Sequence, residues 1–522
     1  MCQSFNNWPL ISRTNHQTIG RDQISEFSLG VARGSVAANG DMTQTHVTNG
    51  PVLGVDDIVF ALGGWHDGDG PLYRKLAARL RSLLEQGVIV TGSTLPPERR
   101  LAAKLAVSRN TVSAAYAELR LDGWIDAHQG SATTVTASSF SPVGAHRSSP
   151  LFATLLREHP DVVDLSVAVP DAAPIVREIA GNTSQHFKST NAITSGHGYY
   201  PQGYPPLRER LAGILTEHGL PTDPDELLIT GGAQQAISIA IRSLTRPGDT
   251  IAVEELSFPG ALDAVALSGA ATLALPMTPE GVDLEALERA VRTRQPRLLY
   301  VIPTFHNPTT ANMSLPDRKR LASIISTYGL TTIDDMVLSD LDYLDVDNRP
   351  LAAIAPQAPI ISVGSLTKVY WGGLRIGWLR ANRTLVRYLT GVKASLDLGS
   401  SALSQRVAHV LLEHHRDTAL WRNRQVKASL DACSDALRNH VPEWQWSAPT
   451  GGPHIWIELP DTLALPFSQR LLRNGVAVVA GPLLAARAGA GEHHIRIPLY
   501  RTPEVLVAAI EEMARVWKST PD

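Results

Sequence analysis

Cysteine is nearly absent: Cys2 and Cys433 are the only two in 522 residues. That is too few for a disulfide framework or a cysteine-ligated zinc site, and it is the usage expected of a chain kept in a reducing cytosol. Long apolar runs are lacking as well. No stretch of about 18 purely apolar residues occurs, and no basic region followed by an apolar core opens the chain. Neither a membrane span nor a secretory signal is read, and a cytoplasmic location is expected. Excess charge is also missing, because a net −3 at pH 7 gives no whole-chain attraction to nucleic acid or to an anionic membrane. What the chain does have is apolar material, 43% of its residues, and a length well above the roughly 100–200 residues usual for one domain. Two or more folding units are expected.

Residues 1–60 are rich in Asn, Gln, Ser, Thr and Gly and show no sustained period of 3.6 or 2, so they are expected to form a disordered extension. A small helical domain is expected over residues 66–136. Residues 137–150, containing SSFSPVGAHRSSP, read as a linker, because Ser, Pro and Gly cannot supply a core. From 151 to 522, strand-like runs (ELLIT, TIAVE, RLLYVI, TTIDD, IISVG) alternate with helical stretches such as LRERLAGILTEHG and LPDRKRLASIISTYG. That alternation argues for crossover units and an α/β fold with a mainly parallel sheet covered on both faces. The expected fold class is therefore multidomain: a small α+β head and a large α/β body.

Between Pro71 and Val135 nine basic residues (Arg74, Lys75, Arg79, Arg81, Arg99, Arg100, Lys104, Arg109, Arg120) face five acidic ones (Glu85, Glu98, Glu118, Asp122, Asp126). The positive charge of an overall neutral chain is gathered in one small segment. PLYRKLAARLRSLLEQG carries a leucine stripe closed by Gly87, ERRLAAKLA makes a second helix, and VSRNTVSAAYAELRLDGW a third that starts at Ser108. Two short helices on a tight connection, with polar and basic residues leading the later one, form a helix-turn-helix. WIDAHQGSATTV adds a two-stranded wing with Gly130 at its tip. This string resembles the winged helix of the GntR family of bacterial regulators. The resemblance implies operator DNA as a partner, with Arg99 and Arg109 gripping phosphates or guanine edges, Ser108 and Thr111 on the backbone, and Gly130 near the minor groove. Where that family often has a further arginine, this chain has Ser113.

The string GSLTKVYWGGLRIGWLR, Gly364 to Arg380, sets a lysine between small hydroxyl residues with an arginine seven positions on. Such a group suits pyridoxal 5'-phosphate: Lys368 is the amine for the aldehyde, and Ser365, Thr367 and Arg375 grip the dianionic phosphate. From about Leu165 to Val516 the chain resembles the fold-type I aminotransferases. That resemblance puts Gly232, Ala233 and Gln234 in a phosphate-cradling turn at a helix start, Phe258 against the ring face, and Asn307 beside the phenolic oxygen. It puts Asp335 on the pyridinium nitrogen, with Asp334 the second choice, and Arg496 on an amino acid's α-carboxylate. Thr310 replaces the usual final glycine of the N-P-[TS]-G motif, and Val337 and Leu338 stand where the family has a tyrosine. Tyr199 or Tyr200 would reach a neighbouring subunit's phosphate. His306, His493 and His494 lack ligand-spaced partners, so no metal is expected.

A winged helix joined to an aminotransferase-like body resembles the MocR branch of the GntR regulators. The resemblance implies a homodimeric, pyridoxal-phosphate-dependent transcriptional regulator. It would sense the cofactor or an amino-acid aldimine and control vitamin B6 or amino-acid metabolism genes, with an amino acid or amine as effector. The alternative is a working aminotransferase that carries a DNA-tethering module.

Overall fold

Helix α1 (Val55–Leu62) forms inside the segment read above as an extension without structure. VDDIVFAL is too short for its period to register, yet Ile58, Val59, Phe60 and Leu62 are all buried. Packing that the sequence window cannot contain is what makes it a helix. The computed structural model describes residues 54–66, 70–85, 88–89, 92–126, 132–136, 162–182 and 196–519. The remainder of the expected extension, and the expected linker 137–150, lie outside the described residues.

Helices α2 (Leu72–Glu85), α3 (Glu98–Leu105) and α4 (Arg109–Leu121) follow. Ala106, with φ 52°, turns the chain out of α3 in the left-handed region. Ser108 then caps α4, its Oγ accepting the Thr111 amide at 3.2 Å. Strands β1 (Ile125–Asp126) and β2 (Thr134–Val135) pair antiparallel as the wing; Gly130, expected at its tip, lies outside the described residues. Part of the positive charge counted for this head turns inward. The Lys75 amine donates to the His66 carbonyl at 2.9 Å, Arg79 donates to the Leu62 and Ala61 carbonyls at 3.0 Å, and Lys104 pairs with Asp56 at 3.1 Å. These cations satisfy the carbonyl end and first turn of α1, which sequence counting could not foresee.

The body begins with β3 (Val163–Leu165), α5 (Pro174–Gly181) and α6 (Pro205–Glu217). Next come β4 (Leu227–Thr230), α7 (Ala233–Leu244), β5 (Thr250–Glu254), α8 (Pro259–Ser268) and β6 (Ala271–Leu275). A short hairpin of β7 (Met277–Thr278) and β8 (Gly281–Val282) leads to α9 (Leu284–Arg294), β9 (Leu298–Val301), α10 (Leu315–Tyr328) and β10 (Thr332–Asp335). Then follow α11 (Leu351–Ile354), β11 (Ile360–Ser365), β12 (Gly377–Arg380), α12 (Arg383–Asp397), α13 (Ala402–Leu411) and the long α14 (His415–His440). The chain ends through β13 (Gln445–Trp446), β14 (His454–Glu458), α15 (Ala464–Arg473), β15 (Val476–Ala480), β16 (His494–Pro498) and α16 (Pro503–Lys518).

Seven strands form the main sheet in the order β4-β12-β11-β10-β9-β5-β6. Only β12 runs against its neighbours; the pairs joining β11, β10, β9, β5 and β6 are parallel. Every residue of β4, β9, β10 and β11 is buried, as a parallel sheet covered on both faces requires. A second sheet, β13-β14-β16-β15-β3, builds the smaller half of the body. One apolar cluster runs without a break from the head (Leu62, Leu80, Leu101, Leu119) into this half (Leu437, Leu471, Ile495, Ile497). Arg473 at the end of α15 adds a hydrogen bond to the Leu105 carbonyl of α3 at 2.9 Å. Among the described residues no helix is long and apolar enough to cross a membrane.

Candidate functional site

Parallel strands aim their carboxyl ends at a common edge, where loops leave side chains in one crevice. Five of the expected residues or groups sit there: Gly232–Gln234 after β4, Phe258 after β5, Asn307 after β9, Asp335 closing β10, and Ser365–Lys368 at the end of β11. Arg375 arrives just ahead of β12, and Arg496 comes from β16 of the second sheet. All ten residues expected at the cofactor, together with Arg496, line one cavity of about 220 Å³.

The phosphate end is built from backbone. Gly232 caps α7 with φ 110°, a conformation that L side chains rarely adopt, and a Cβ there would come within 3.2 Å of the Arg375 guanidinium. Gly377 lets β12 pass the same turn, since its Cβ would meet the Gly232 backbone at 2.5 Å. Arg375 therefore sits against the turn that starts α7, and its Nη2 donates to the Gly231 carbonyl. Ser365 Oγ lies 2.9 Å from Thr367 Oγ1 and accepts the Thr367 amide at 3.1 Å. An arginine, two hydroxyls and a helix N-terminus make a donor set suited to a dianion.

Lys368 stands half-buried at the centre, its Nζ donating to the Ala168 carbonyl at 2.7 Å. Burial first, and the nearby Arg496 cation second, push its pKa down to about 8, against the opposing pull of Asp335. Asp335 is held at both oxygens: Tyr300 donates its hydroxyl at 2.5 Å and the Val337 amide donates at 2.9 Å. Burial nevertheless raises its pKa, outweighing those two hydrogen bonds and the Lys368 charge, which all pull it down. Of the aspartate pair it is Asp335 that lines the cavity; Asp334, one residue back on the strand and so on its other face, accepts the Leu351 amide at 3.1 Å. Burial raises the Asp334 pKa to about 6, opposed by the Arg318 charge.

Arg496 donates from Nη1 to Asn307 Oδ1 and from Nη2 to the Ser166 carbonyl, both at 2.9 Å. Burial lowers its pKa to about 10. Val337 and Leu338 line the cavity where a tyrosine was expected in this class of site. Tyr199 is 56% exposed, Tyr200 packs edge-on against Tyr204, and neither lines the cavity.

Sequence reading passed over Ser166, Tyr300 and His454. Tyr300 sits in an all-buried apolar strand and His454 in the string GGPHIWIELP, so neither carried a local signal. Of the histidines set aside above, His306 is buried with Nδ1 2.8 Å from Thr309 Oγ1 and Nε2 3.2 Å from Glu254 Oε2. His493 contacts the Thr462 carbonyl, and His494 stacks on Trp456. A different group, His218, Asp340 and His415, gathers its ligand-type atoms within 4.8 Å. It is an ion-paired cluster, with the His415 pKa raised by Asp340 against its burial and the Asp340 pKa lowered by His415.

On the head, Arg99 and Arg109 are exposed, and Arg109 Nε pairs with Glu98 at 3.2 Å. The Ser108 and Thr111 hydroxyls lie 2.9 Å apart at the leading turn of α4. The four residues thus share one surface end of a helix-turn-helix.

Residues 160–512 match the aminotransferases of class I and II, and residues 72–135 match the bacterial regulatory proteins of the gntR family. Over 476 residues the chain is 28% identical to the HTH-type transcriptional regulator YdfD of Bacillus subtilis, covering 86% of this chain and 96% of that one. Over 345 residues it is 32% identical to a 2-aminoadipate transaminase of Thermus thermophilus, 65% of this chain and 82% of the relative. Among solved structures it is similar to LysN, the α-aminoadipate aminotransferase of Thermus thermophilus complexed with N-(5'-phosphopyridoxyl)-L-leucine. The TM-score is 0.65 and the identity 29%, with 70% of this chain and 94% of that one covered.

Proposed function

This chain belongs to the class I and II aminotransferases and carries a gntR-family domain ahead of that fold, and on this premise we propose that it is a MocR-type transcriptional regulator that works with pyridoxal phosphate. It binds operator DNA as a homodimer in the cytoplasm and controls vitamin B6 or amino-acid metabolism genes. When bound, the cofactor supplies an aldehyde that joins amines reversibly and a ring that draws off electrons.

The residues of the cavity fit it: a cradle that only glycine can form at position 232, a dianion-binding donor set, a half-buried amine and a buried carboxylate. Lys368 is the attachment amine. A pKa held down to about 8 leaves more of it unprotonated at neutral pH than an exposed lysine has. Asp335, oriented by Tyr300 and the Val337 amide, would hold a proton on the ring nitrogen. Asn307 would donate to the phenolic oxygen, Phe258 would pack against the ring, and Arg496 would take the carboxylate of an incoming amino acid. On the head, Arg99 and Arg109 with the Ser108–Thr111 turn meet phosphates and base edges.

A single observation carries the regulatory reading: the head and the sheet that presents Arg496 share one apolar core. Ser166, whose carbonyl accepts from Arg496, also lines a second cavity with Phe60, Gly63 and Gly64 at the end of α1. A ligand that draws on Arg496 shifts Ser166, and through α1 it biases how the head is held. It can do so only by its differential affinity for the two arrangements.

Two measurements test this. DNase footprinting of the promoter of a neighbouring gene should give protection that weakens in Arg109→Ala and at higher salt. Multiple turnover of amino acid and keto acid at ordinary enzyme rates, on the order of 1–1000 per second, without footprinting, would make the chain a working transaminase instead.

A further inference from the structure

Four buried polar atoms of the cavity walls have no partner in the protein: Oε1 of Gln234, Nδ1 and Nε2 of His454, and Nε of Arg496. His454 is 1% exposed, so its ring is both dehydrated and unpaired. Leaving such a group unsatisfied is costly, and a ring so placed in a ligand cavity marks where the ligand completes it.

The sheet brings the two side chains together. His454 pairs with Pro498 across β14 and β16, and Arg496 stands opposite Trp456. His454 and Arg496 are therefore diagonal neighbours on one face, roughly 7–8 Å apart at the backbone.

One N–H of each Arg496 terminal nitrogen is already engaged by Asn307 and Ser166, and Nε, which has no partner, is the nitrogen still wholly open to a ligand.

We propose that His454 is a carboxylate-reading residue: its ring N–H and the Arg496 Nε–H together hold the α-carboxylate of an amino-acid ligand. This rests on the cofactor reading above and extends it to the ligand class, α-amino acids in preference to simple amines. Burial, Arg496, Lys368 and His306 all push the imidazole pKa well below its ordinary value. The ring is neutral, so it donates one hydrogen bond without adding another positive charge beside Lys368 and Arg496. Its second nitrogen accepts from the ligand or from water.

The test uses the full chain freed of cofactor and two stable probes, phosphopyridoxyl-alanine and phosphopyridoxyl-ethylamine, which differ only in the carboxylate. Dissociation constants come from fluorescence titration. His454→Phe should weaken the alanine probe by about 10- to 100-fold, the worth of a hydrogen bond to a charged group, and leave the ethylamine probe within about threefold. His454→Gln, which keeps a donor, should restore most of the loss. Equal weakening of both probes would make His454 a packing residue, and no weakening of either would remove it from recognition; each result overturns the proposal. Failure of the wild-type chain to bind either probe would overturn the cofactor reading itself, and this inference with it.

Discussion

The candidate cofactor cavity and the exposed start of α4 proposed to meet DNA are built on opposite plans. The cavity collects side chains from Ser166 to Arg496, buries Asp335, His454 and Arg496 among them, and shifts the proton affinities of these three through desolvation and nearby groups. The head surface takes Arg99 of α3 with Ser108, Arg109 and Thr111 at the start of α4 from 13 consecutive positions and leaves the two arginines in water, where their charges are screened. Chemistry done in a dry pocket needs every group at once, so a single loss is near-total. A surface that reads a polyanion adds up contacts that can be removed one by one.

The largest effect expected on the cavity side is that of Lys368→Ala. The absorbance band near the edge of the visible, which the loaded wild type should show, should vanish. In the wild type, the rate of cofactor attachment followed by stopped-flow absorbance should rise with pH and level off above about pH 8. Only the unprotonated amine attacks, and the pKa of Lys368 is held down to about 8. A rate still climbing towards pH 10 would mean an amine as wet as any on the surface, and the contrast between the two regions would lose its basis.

Next in size is a change that tests whether the head is separate at all. Leu119 of α4 is fully buried in the shared cluster, and Leu119→Ala should cost about 2–5 kcal/mol. Denaturant unfolding followed by fluorescence of the head and by the cofactor band should shift together. A body transition that stays put while the head melts early would show that the common core carries no coupling.

Smaller still is Arg109→Ala. Its guanidinium is exposed and shared with Glu98, so operator affinity should fall by about 1–3 kcal/mol and the slope of log affinity against log salt by about one. A loss as complete as that of Lys368→Ala would mean that the head works as an all-or-none unit as well.

The two plans also explain what was legible in the sequence. Lys368, Arg375 and the Gly232 turn lie in short strings whose spacing is itself the geometry. The strand and helix alternation of the body follows from periodicity, and β4, β5, β9, β10 and β11 fall on the runs that were read. His454, Tyr300 and Ser166 reach the cavity only through sheet register and crossover, which no local window contains. The inward turn of Lys75, Arg79 and Lys104 could not be seen without α1, and α1 is eight residues whose burial is decided by partners far along the chain.

The mildest prediction concerns the rim of the cavity, where a sequence departure met the backbone. Thr310 stands where a glycine was expected, and its φ is 62°; its amide donates to the His306 carbonyl at 2.7 Å. A β-branched residue in the left-handed region is strained by about 1–2 kcal/mol, while glycine there would lose about 0.5–1 kcal/mol more in unfolded-chain entropy. Thr310→Gly should therefore raise stability by a net of roughly 1 kcal/mol, read as a higher denaturant midpoint at unchanged slope. The cofactor band and the footprint should not change, because the backbone that carries Asn307 already has the conformation glycine prefers. If Thr310→Gly instead lowers stability, contacts of the threonine side chain outweigh the strain, and the departure from the family motif has been compensated within the cavity rim.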